Sequence, residues 1–132
     1  MAQPHALVID DEPDTTTYLA ALLGDHGWRV STANSANDGL ALAQKDAPDI
    51  VLLDVMMPER GGLSTLIALR KDPKTSQVPV VLVTGIQEQL THDFGNFLDR
   101  FKHYHPDAYL DKPIDPEQLL RTLEELRSKP PG

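Results

Sequence analysis

Apolar residues along this chain follow two alternating rhythms: short runs rich in Val, Ile and Leu, and longer stretches in which apolar positions recur every three or four residues. The runs are Ala6-Leu7-Val8-Ile9, Trp28-Arg29-Val30-Ser31, Ile50-Val51-Leu52-Leu53, Val78-Pro79-Val80-Val81-Leu82-Val83 and Ala108-Tyr109-Leu110. Each has the length of a strand. Three are continuously apolar, the pattern of a parallel sheet whose two faces are both covered by helices.

The stretches between them carry helix signals. From Asp14 to about His26, Tyr18, Leu19, Leu22 and Leu23 form one apolar stripe, with Gly27 placed to stop it. Ser35 followed by Asp38 resembles a capping box ahead of Leu40, Leu42 and Ala43. Asp115-Pro116 sets a capping carboxylate before a first-turn proline, with Leu119, Leu120, Leu123 and Leu126 following at helical spacing. Residues 63–70 and 91–104 predict two more helices. Five strands alternating with five helices, joined by right-handed crossovers, predict an α/β doubly wound sheet. The length of 132 residues suits one core, so residues 1–127 are expected to form one domain, and 128–132 a tail or the start of a linker.

Composition narrows the function classes. Twenty acidic residues against 12 basic ones give a net charge of −8, which opposes direct contact with nucleic acid. The absence of cysteine excludes disulfides, thiolate catalysis and zinc sites built on sulfur. No apolar run approaches membrane-spanning length, and the N-terminus lacks the features of a signal peptide, so a cytoplasmic protein without a membrane partner is expected.

In doubly wound sheets ligands bind beyond the carboxyl ends of the strands, which draws attention to the residues following each run. These are Asp10, Asp11 and Glu12; Asp54; Thr84; and Asp111 with Lys112. An Asp pair after a strand also serves as an ordinary helix cap. Asp54, however, lies between Ile50-Val51-Leu52-Leu53 and Val55-Met56-Met57-Pro58, where an unpaired carboxylate is costly. If Asp10, Asp11 and Asp54 converge, a cation must compensate them, and a hard oxygen-seeking ion such as Mg²⁺ leaves room for a phosphoryl group. Lys112 and Thr84 supply a charge and a hydroxyl suited to phosphoryl oxygens.

The ordered set of Asp10-Asp11, Asp54 with Met57-Pro58 and Gly62, Thr84, and Tyr109 with Lys112-Pro113 resembles the receiver domains of two-component response regulators, the CheY-like superfamily. The resemblance covers nearly the whole chain, from Ala6 to Arg127. It implies a flavodoxin-like sheet of order 2-1-3-4-5, with a lengthened fourth-helix region in this chain. It further implies that Asp54 is the phosphoacceptor, taking a phosphoryl group from a sensor histidine kinase or phosphotransfer protein. Mg²⁺ would be held by the side chains of Asp11 and Asp54, by the Met56 carbonyl, and by Asp10 through water. Thr84 and Lys112 would complete the catalytic set, Lys112-Pro113 would be cis, and Thr84 with Tyr109 would relay phosphorylation to the face made by the fourth helix, fifth strand and fifth helix. Such a phosphoprotein works as a switch in signal transduction or a phosphorelay, acting on a downstream protein or a C-terminal output domain. It is not an enzyme beyond promoting its own phosphorylation and dephosphorylation.

Two alternatives stand beside this reading. A small metal-dependent phosphatase or phosphotransferase with an Asp nucleophile needs a carboxylate two residues after it, where this chain has Met56. A receiver-like interaction module that no longer takes phosphate would have lost an acidic or lysine position, and none is lost. The excess residues between Thr84 and Lys112 include Phe94, Phe97 and Phe101, with Leu98, at helical spacing. These form either a larger stripe packed on the sheet or a modified partner surface. His103 and His105 belong to a solvated helix end more readily than to a metal site. The resemblance also implies that Met56 and Ile86 flank the path of the hydrolytic water, and because both are apolar it predicts slow autodephosphorylation.

Overall fold

The computed structural model describes residues 3–55, 62–84 and 106–128. Its elements run β1 (His5–Ile9), α1 (Pro13–Asp25), β2 (Arg29–Ala33), α2 (Ala36–Lys45), β3 (Ile50–Asp54), α3 (Gly62–Lys71), β4 (Val80–Thr84), β5 (Ala108–Asp111) and α4 (Pro116–Ser128). All five strands are parallel, in the order β2-β1-β3-β4-β5. The helix expected over 91–104, with its phenylalanines and with His103 and His105, lies outside the described residues, as do Met56, Met57, Pro58, Gly61 and Ile86.

Burial explains why the strands lack polar alternation. Leu7, Ile9, Val51, Leu53, Val80 and Leu82 point to one face and pack with Ala36 and Ala43 of α2 and with Leu66 and Leu69 of α3. Ala6, Val8, Ile50, Leu52, Val81 and Leu110 point to the other, against Leu19 and Leu23 of α1 and Leu119, Leu123 and Leu126 of α4. In the central strands β1, β3 and β4 successive side chains feed opposite layers, so nearly every position is apolar, whereas the edge strands β2 and β5 keep exposed positions.

The predicted boundaries move by one or two residues, for identifiable reasons. The strand expected from Trp28 begins at Arg29 because Trp28 belongs to the stop of α1: its N–H donates to the Leu23 carbonyl and that of Gly27 to Gly24, with Gly27 at φ +89°. The strand expected from Val78 begins at Val80, since Val78 closes a turn onto the Thr75 carbonyl and Pro79 has no N–H to offer. Both expected caps form: Ser35 Oγ accepts from Asp38 N at 3.1 Å, and Asp115 Oδ1 from Glu117 N at 3.1 Å.

Two contacts fix the layers relative to one another. Gly39 of α2 lies against Ile9, where an added Cβ would come within 2.5 Å of Ile9 Cδ1. At the amino ends of β4 and β5, the Arg70 guanidinium donates to the Val78 carbonyl at 2.6 Å and to Asp107 Oδ2 at 2.7 Å, and the same Asp107 oxygen accepts from Val80 N.

Candidate functional site

The register carries the candidate residues to one edge of the sheet. Ile9 pairs with Leu53, Asp54 with Val83, and Thr84 with Asp111, so Asp10, Asp54, Thr84 and Lys112 fall in a row across β1, β3, β4 and the end of β5. Asp54, Thr84 and Asp111 are the last residues of their strands rather than the first beyond them. Val55 N continues the pairing onto the Val83 carbonyl at 3.1 Å, which stiffens the backbone on the far side of Asp54.

Asp10 is held more firmly than its sequence context suggests. Its N–H donates to the Ala33 carbonyl, its own carbonyl accepts from Asn34 Nδ2 at 2.9 Å, and its Oδ1 accepts from Glu12 N at 3.0 Å. Asn34 also reaches Thr16 Oγ1, so the loop after β2 braces the turn after β1. Asp10 and Asp54 are each only 3% exposed. Among the described residues the cation that lets two buried carboxylates sit together is Lys112, whose Nζ is 3.2 Å from Asp10 Oδ2 and 3.8 Å from Asp54 Oδ2. Burial pushes the Lys112 ammonium toward a lower pKa. The charge of Asp54, together with Asp10 and Glu12, outweighs it, and the net direction is upward. Lys112 therefore stays charged at neutral pH.

Carboxylate oxygens of Asp10, Asp11 and Glu12 lie within 4.8 Å of one another, Asp10 buried, Asp11 half-buried and Glu12 exposed. This donor set, all hard oxygens, suits Mg²⁺ rather than a softer metal. Glu12, which strand-end reasoning named without a role, adjoins Asp10 and Asp11 in this cluster, and its adjacency to Asp11 was the available signal. Asn34 had no such signal. Tyr109 is 46% exposed, and partial burial raises the pKa of its hydroxyl, so it is a neutral phenol. The Lys112–Pro113 peptide is cis, as the resemblance implied. Among the described residues no helix is long and apolar enough to cross a membrane.

Comparison with known proteins agrees with this geometry. Residues 6–124 match the response regulator receiver domain family. PilH of Pseudomonas aeruginosa is 38% identical over 117 residues, 89% of this chain and 92% of PilH. The response regulator PleD of Caulobacter vibrioides is 37% identical over 120 residues, which are 91% of this chain but 25% of PleD. The chemotaxis protein CheY4 of Vibrio cholerae superposes with a TM-score of 0.83 at 28% identity, over 95% of this chain and 99% of CheY4. A parallel sheet of order 2-1-3-4-5 with buried acids at its carboxyl edge, matched along almost its full length, places this chain in the receiver domain family of two-component response regulators, whose members are phosphoryl-accepting signalling switches.

Proposed function

We propose that Asp54 is the phosphoacceptor, and that residues 1–127 form the switch unit. The observation that carries this is the placement of Asp54: a carboxylate 3% exposed at the end of a central strand, with the Lys112 ammonium 3.8 Å away and an acidic cluster beside it. A carboxylate oxygen of Asp54 attacks phosphorus, the bond to the donor imidazole breaks, and its electron pair leaves with the imidazole. The donor would be a histidine kinase or a phosphotransfer protein. Asp10, Asp11 and Asp54 would hold Mg²⁺, with Met56 contributing its carbonyl, and Mg²⁺ held there would neutralise charge on the phosphoryl oxygens. Lys112 shares that task, and Asn34 keeps the Asp10 turn in place. Thr84 would take a phosphoryl oxygen and Tyr109 would follow it inward from its half-exposed position, passing the state to a downstream protein or output domain.

Incubating the protein with acetyl phosphate and Mg²⁺ should add one phosphoryl mass, abolished in Asp54→Asn and suppressed by EDTA. Undiminished labelling of Asp54→Asn would overturn the assignment.

A further inference from the structure

His5 opens β1 at the end of the sheet opposite Asp54. Its side chain is 6% exposed, yet its Nδ1 has no hydrogen-bond partner, the only such buried side-chain atom among the described residues. Buried polar atoms are otherwise paired, so an orphan asks for a reason. The other ring nitrogen, Nε2, lies 2.8 Å from Ser31 Oγ on β2, a hydroxyl able to donate or accept and hence to suit either tautomer. Nδ1 faces Asp46 Oδ2 at 3.9 Å, beyond hydrogen-bond reach.

Asp46 ends α2 and is already engaged: Arg29 Nη1 on β2 donates to the same oxygen at 3.0 Å. Asp49, ahead of β3, is tied to the His5 backbone, its Oδ2 accepting from His5 N and its own N–H donating to the His5 carbonyl, both at 2.7 Å. Three charged groups therefore face the imidazole: Arg29 from β2, Asp46 from the end of α2, and Asp49 from the connection into β3.

We propose that His5 is an acid-sensitive latch, which while neutral closes the junction of β1, β2 and the α2–β3 connection, and which on protonation sets Nδ1–H against Arg29 for Asp46 and opens that junction. A second proton on the ring turns a tolerated orphan into a buried cation beside a guanidinium, and both carboxylates that could answer it are already engaged, Asp46 by Arg29 and Asp49 by the His5 backbone.

The electrostatics agree in direction. Burial and then Arg29 lower the His5 pKa from the ordinary 6.5, outweighing Asp46 and Asp49. A group with a lowered folded-state pKa binds its proton more readily when unfolded. The stability from keeping it neutral is thus complete above 6.5 and is lost as pH falls through the folded value.

The test is an NMR titration of the imidazole resonances from about pH 8 to about pH 5, spanning the ordinary histidine range, with His5 assigned by its loss in His5→Gln. His5 is expected to titrate below 6.5, and Arg29→Gln should move its midpoint upward. Amide exchange at Arg29 and Asp49, corrected for intrinsic rates, should accelerate below that midpoint in the wild type and not in His5→Gln. A midpoint at or above 6.5, one unmoved by Arg29→Gln, or equal acceleration in His5→Gln would each overturn the latch. Should His5→Gln fail to fold, through-bond assignment of the ring from the His5 backbone resonances lets the titration of the wild type and Arg29→Gln decide the matter.

Discussion

Lys112 shows how much one residue can settle. Its ammonium sits closer to Asp10 than to Asp54 and satisfies the acids at the position where a divalent ion must approach. Removing it leaves two buried carboxylates with less compensation, so Lys112→Ala should bind Mg²⁺ more tightly, by severalfold, while accepting phosphoryl more slowly. Calorimetric titration of the unphosphorylated protein checks the first half, and weaker Mg²⁺ binding would contradict it. Lys112, Asp10 and Asp54 were legible in the sequence because each follows an apolar run within two residues, and a charge so placed stands at a sheet edge. Asn34 was not legible: its amide matters through the Asp10 carbonyl and Thr16 Oγ1, contacts that depend on how β2 returns beside β1. Hydrophobic period says nothing about a polar residue in a turn.

At the level of elements, α2 packs as closely as it does because position 39 has no side chain. Ile9 is fully buried and cannot swing away from a methyl placed 2.5 Å from its Cδ1. Gly39→Ala gains helix propensity of about 1 kcal/mol and is nevertheless expected to destabilise the fold by about 1–3 kcal/mol through overpacking. Urea unfolding measures the balance, and Ile9→Val in the same chain should recover part of the loss by vacating the space. A stabilised Gly39→Ala would show that the helix can retreat. Nothing in its local sequence singles out Gly39, because its role lies in a strand 30 residues earlier, outside any local window. The caps at Ser35 and Asp115, by contrast, were readable because donor and acceptor are two or three residues apart.

For the whole molecule, topology was the most legible property. Continuous apolar strands demand two covering layers, and right-handed crossovers then leave few ways to wind the chain. The sheet also gives the molecule two chemically distinct ends, with Asp10 just beyond β1 and His5 at its start. β1 is five residues long, and its rise of roughly 3.3 Å per residue separates the two by about 16 Å. That span exceeds the roughly 10 Å beyond which substitutions with no shared partners usually act independently. Apolar residues from Ala6 to Ile9 fill the interval, leaving no chain of polar side chains along the strand to carry charge changes between its ends. β1 is in effect an insulator, and the two ends should vary independently. The stability changes of His5→Gln and Asp54→Asn should add within about 0.5 kcal/mol in the double variant. A larger departure would mean that the strand conducts. If they add, acid tolerance and phosphoryl chemistry can drift separately in such a protein, each tuned by substitutions the other does not feel.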